Sequence, residues 1–113
     1  MSTEKRYELD VFFHMLYELK KGLRTLSLLT TVSENEDVIK EKLEECGYSY
    51  IFEEFRPGNI NVFFGTEEPI NVLKQFKKHS LGEFTPEEDF ILGVLLGYNT
   101  DQQCKRYLAR KAS

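Results

Sequence analysis

Tyr48–Thr66, YSYIFEEFRPGNINVFFGT, reads as two strands folded back on each other, and the rest of the chain needs a sheet of that kind to pack against. Arg56-Pro57-Gly58-Asn59 is the turn: Pro57 fixes φ near about −65° and Gly58 accepts the positive φ of a type II turn. The flanks are aromatic or β-branched, the composition of strands. Alternation along Asn59–Phe64 sends Ile60, Val62 and Phe64 to one face and Asn59, Asn61 and Phe63 to the other.

Working back toward the N-terminus, Thr25–Val32 also alternates with period two and predicts another strand. Between it and the hairpin lies a helix. Ser33 and Glu36 have the spacing of a capping box, Ile39, Leu43 and Cys46 form its buried stripe, and Gly47 ends it. Glu41, Glu44 and Glu45 fall off that stripe, where a solvated surface explains them more simply than a carboxylate dyad. The order strand, helix, strand, turn, strand fits a split βαβ unit, with the first two strands parallel and the third slotted between them, order 1-3-2. Upstream, Leu9, Phe12, Leu16, Leu19 and Leu23 recur at steps of three and four, an amphipathic helix closed by Gly22. His14 sits between Asp10 and Glu18 on its opposite face, a solvated position with no second His or Cys to make a metal site.

After the hairpin, Thr66-Glu67-Glu68-Pro69 opens a third helix with Ile70, Leu73 and Phe76 buried and Lys77, Lys78 and His79 at its C-terminus. Gly65 before a helix start is a phosphate-cradle position, but Glu67 and Glu68 put negative charge where the phosphate would sit. Thr85, Pro86 and Glu88 start a fourth helix with a second capping box. Its body, Phe90–Tyr98, has no charged residue and is apolar around its whole circumference, so it needs cover on every side. Gly93 and Gly97, four apart, would let another backbone come close. Asn99 or Thr100 caps a fifth helix whose expected buried residues are Cys104, Tyr107 and Leu108.

The sequence therefore predicts an α+β fold in a single domain over 1–113: strands at about 25–32, 48–55 and 59–65, and helices at about 8–21, 34–46, 67–79, 86–97 and 101–111. A chain of 113 residues can own a core, burying roughly two-thirds of its unfolded surface. No apolar run approaches the ~20 residues of a membrane span, and the polar N-terminus lacks the apolar core of a signal peptide, so the expected location is cytoplasmic. Cys46 and Cys104 belong to no Cys-x-x-Cys or Cys-His cluster and read as reduced, core-facing thiols. The net charge of −4 argues against bulk affinity for nucleic acid or anionic membrane. The last helix is locally basic, with Lys105, Arg106, Arg110 and Lys111 against Asp101 alone, a candidate partner surface.

The stretches FTPEEDFILGVLLGYNTDQQCKRYLARK and RPGNINVFFG resemble a small bacterial family of uncharacterised proteins of about this length. The resemblance implies three strands, five helices and a homodimer, and it brings no activity and no assigned residues. A weaker association of such proteins with flavodoxin or ferrous-iron transport functions implies a redox- or iron-related adaptor.

Three functional classes remain in view. A non-enzymatic homodimer or interaction module accounts for an apolar inventory too large for one three-stranded layer, with Phe63, Phe90, Gly93, Val94 and Gly97 as its expected interface and Leu29 sharing the second sheet face with Phe63. The bland alternative is five helices covering one another within a monomer. A helix-turn-helix made by the last two helices, with Gln102, Gln103, Lys105 and Arg106 on the reading helix, is the nucleic-acid alternative. Its second helix normally buries an apolar residue about six after the turn glycine, and that position is Gln103. Catalysis needs a nucleophile with a base, which two isolated histidines and two core-facing cysteines do not supply. No catalytic, metal or cofactor-binding residue is expected.

Overall fold

The structure is a computed structural model that describes residues 3–76 and 81–113; Lys77, Lys78 and His79 lie outside the described residues. Helix α1 (Thr3–Lys20) leads into β1 (Leu26–Val32), α2 (Glu36–Cys46), the hairpin of β2 (Ser49–Arg56) and β3 (Asn59–Gly65), then α3 (Glu67–Lys74), α4 (Pro86–Leu95) and α5 (Thr100–Ala112). The sheet has the order β1-β3-β2, with β3 antiparallel to both neighbours. Gly58 has φ +85°, as the turn requires.

Period-two alternation in β3 divides the core in two. Ile60, Val62 and Phe64 face α1 and α2, where they meet Phe12, Leu16, Ile39 and Leu43. Phe63 faces the other way, into a cluster with Leu26, Ile70, Leu73, Phe84, Leu92 and Leu96. The sheet is thus the middle of three layers. Leu29 pairs with Val62 and belongs to the first cluster, so it does not share a face with Phe63 as the sequence reading had it; parity through the register separates them. Nor does the second sheet face await a partner: Phe63 is 2% exposed beneath the chain's own helices.

Some local starts differ from expectation. The first capping box does not form, because Ser33–Asn35 makes a 3-10 turn and moves the start of α2 to Glu36. The Ser33 amide instead donates to the Gly58 carbonyl at 2.9 Å, and the Asn35 side chain donates to Thr31 Oγ1 at 3.0 Å. Thr66 makes no side-chain cap for α3. Gly65 is required for space: a Cβ there would collide with the carbonyl oxygen of Thr25, which accepts from the Thr66 amide at 2.9 Å.

Candidate functional site

The layer formed by α4 and α5 leaves apolar surface open to solvent. Helix α4 starts with the predicted capping box: Thr85 Oγ1 accepts from the Glu88 amide at 3.1 Å, and Glu88 Oε1 accepts from the Thr85 amide at 3.0 Å. It ends at Gly97, φ +82°, whose amide donates to Val94 while that of Tyr98 donates to Gly93. One face, Leu92, Gly93 and Leu96, is buried against the sheet and α5. Ile91 and Val94 stay exposed at 37% and 42%. The chain therefore covers α4 toward the sheet and toward α5, and leaves the side of Ile91 and Val94 open.

Helix α5 begins with Asn99, whose side-chain oxygen accepts from the Gln102 amide at 3.0 Å. It lies on α4 through ring packing of Tyr107 on Phe90, centroids 5.5 Å apart, and through Gln103, whose side chain fills the space that Gly93 leaves open. The close approach at Gly93 is thus made within the chain, by a side chain rather than a backbone.

Charge completes the contact. Arg106 grips Asp89 with two bonds, Nε to Oδ2 at 2.7 Å and Nη2 to Oδ1 at 3.3 Å. Arg110 adds Nη1 to the same Oδ2 at 3.6 Å and donates from Nη2 to the Phe84 carbonyl at 3.1 Å. Lys111 Nζ and the Tyr107 hydroxyl both reach Glu87 Oε2, each at 3.0 Å. The Lys111 ammonium, with the Tyr107 hydroxyl behind it, holds the Glu87 carboxyl below its ordinary range, and Glu87 in turn raises both Lys111 and Tyr107. Three of the four basic residues read as a partner surface are therefore turned onto the acidic start of α4, leaving Lys105 exposed.

Between the two helices runs a groove of about 440 Å³ lined by Glu87, Phe90, Ile91, Cys104, Tyr107 and Leu108. Sequence periodicity placed Cys104, Tyr107 and Leu108 in the core. No residue of α5 is buried, and Leu108 is 63% exposed, because α5 is an outermost layer whose apolar edge opens onto this groove. Cys104 is half-buried at the groove wall, whereas Cys46 packs against the α1/α2 cluster as expected; both are free thiols. Of the residues expected at an interface, Phe63 and Gly93 are covered within the chain, Gly97 is exposed just past the C-cap of α4, and Phe90 and Val94 keep surface of their own.

Sequence reading missed a polar row across the sheet. Thr30 Oγ1 donates to Asn61 Oδ1 at 2.6 Å, and Asn61 Nδ2 donates to Glu53 Oε1 at 3.3 Å, one polar residue from each strand at the same register. Recognising it needed the strand pairing, which places the three side by side. Among the described residues no group of three or more His, Cys, Asp or Glu could hold a metal ion, and no helix is long and apolar enough to cross a membrane.

A family model described as a protein of unknown function (DUF2023) matches residues 10–110, and the chain belongs to that family. No curated protein matches it.

Proposed function

We propose that this member of the DUF2023 family is a small non-enzymatic interaction module that works as a homodimer, with the outward side of α4 and the α4–α5 groove as its contact surface. The observation that carries this reading is the apolar side of α4 at Ile91 and Val94, which neither the sheet nor α5 covers. A second copy related by a two-fold axis would cover the patch with itself, in the commonest closed symmetry. Phe90, Ile91, Val94 and Leu108 supply the rigid, apolar contact area that interfaces concentrate at their centres. Sedimentation equilibrium at micromolar concentration should give twice the 13.3 kDa chain mass. Val94→Asp should return the protein to a folded monomer with an unchanged far-UV spectrum. A wild-type monomer at every accessible concentration would refute the proposal.

A further inference from the structure

The proposed dimer leaves open how two copies would meet, and α5 carries a pattern that answers it. Asp101, Cys104, Leu108 and Lys111 are spaced by three, four and three residues, the spacing of a single stripe along a helix. Asp101 and Leu108 are exposed, Cys104 is half-buried, and the Lys111 side chain is 52% exposed. Read in order, the stripe is acid, apolar, apolar, base. Reversed and laid against itself it is complementary: Asp101 meets Lys111 of the second copy, and Cys104 meets Leu108, at both ends of a two-fold axis between positions 104 and 108.

We infer that two copies of this chain dock α5 against α5, antiparallel, in that register. This rests on the homodimer reading above and specifies its geometry. Charge selects the register over its neighbour. An axis through Leu108 itself would stack Leu108 on Leu108 but leave Asp101 and Lys111 of the other copy four residues, about 6 Å, out of step along the helices. The selected register instead directs each Leu108, the most exposed leucine near the groove, toward the other copy's Cys104 and the adjoining wall at Ile91. Lys111 can serve both carboxylates, because its ammonium carries three donors and Glu87 takes one. Asp101 also suits the first turn of α5 on its own account, so its acidity has a local explanation; the pairing with a base ten residues on does not.

The test is a charge exchange read as a dimer dissociation constant by sedimentation. Asp101→Lys and Lys111→Asp should each weaken the dimer at least about tenfold, since symmetry makes every swap act twice. The double variant Asp101→Lys/Lys111→Asp should recover most of that loss. Recovery cannot come from within the chain, because residue 111 still faces Glu87 with the wrong sign in both Lys111→Asp and the double variant. Circular dichroism at the same concentrations shows that the helices are intact. If the wild type dimerises and the single swaps leave its affinity unchanged, or the double swap fails to restore it, the α5 register is wrong while the homodimer stands. A monomeric wild type would overturn both.

Discussion

Gly65→Ala isolates the tightest point of the fold. Gly65 is not in the left-handed region, so alanine can adopt its backbone conformation and the cost arises from space alone. The new methyl group would overlap the Thr25 carbonyl oxygen and stand 2.9 Å from Leu26 Cα, both backbone atoms that no rotamer change can move aside. Relief requires the β1 entrance to shift, which strains the Leu26–Gly65 pairing and pulls Thr25 away from the Thr66 amide. Overpacking of this kind costs about 1–3 kcal/mol, and an unsatisfied backbone group about 1–3 more. Against them stands a gain of about 0.4–1 kcal/mol from the stiffer unfolded chain. The net loss centres near 3 kcal/mol, a large part of the roughly 5–15 kcal/mol that holds a domain folded. With a urea slope of about 2 kcal/mol per molar, the midpoint should fall by about 1.5 M. Gly82→Ala is the control: its Cβ would meet nothing within 4 Å, and its φ is ordinary, so it should be neutral or slightly stabilising. A shift for Gly65→Ala no larger than that of Gly82→Ala would refute the steric account of the β1–β3 end.

Gly93 and Gln103 should couple in a double-mutant cycle: Gly93→Ala gains about 1 kcal/mol of helix propensity only once Gln103→Ala has vacated its place, and in the wild-type background that gain should vanish or reverse. Additive urea-derived stabilities would show that the side chain is not seated there. Glu87→Gln tests the ion pair through pH. Its carboxyl is held below the ordinary 4.5, so its contribution is present above that value and is lost as pH falls through the folded-state pKa. The raised Tyr107 and Lys111 contribute below their ordinary 10.0 and 10.5, and lose it as pH rises through their folded values. The urea midpoint of Glu87→Gln should therefore trail the wild type at pH 7, and the gap should narrow as pH falls below 4.5; a gap that does not change with pH would remove the carboxylate from the account.

Local rules located most of the architecture. Pro57-Gly58 fixed the hairpin, period-two alternation separated Phe63 from its neighbours in β3, and Thr85-Pro86-Glu88 marked the start of α4. The readings that failed depend on other parts of the chain. Ser33 has the spacing of a cap, but its amide is committed to Gly58 across the sheet, which holds the chain in a 3-10 turn instead. Leu29 alternates correctly within β1, yet its face is settled only by pairing with Val62. Periodicity identified the apolar edge of α5 and could not tell whether that edge met a core or water, because that depends on how many layers lie outside it.

The charges on α5 show the same limit in a form that bears on function. Lys105, Arg106, Arg110 and Lys111 look alike in sequence, and a net-positive helix in an acidic chain suggests an external acidic partner. Three of them instead answer Glu87 and Asp89, whose positions in the first turn of α4 follow from helix capping. Exposed ion pairs of this type stabilise little, and a 13-residue helix is marginal alone. With no buried residue of its own, α5 is held by these pairs, by Tyr107 on Phe90 and by Gln103 at Gly93. A layer attached so lightly gains most from something packed against its outer side, and the surface it offers there is the stripe of Asp101, Cys104, Leu108 and Lys111. On this argument docking steadies an α5 that is already helical in the single chain. Dilution below the dimer dissociation constant should accordingly raise amide exchange along Thr100–Ala112 before it does so in β3.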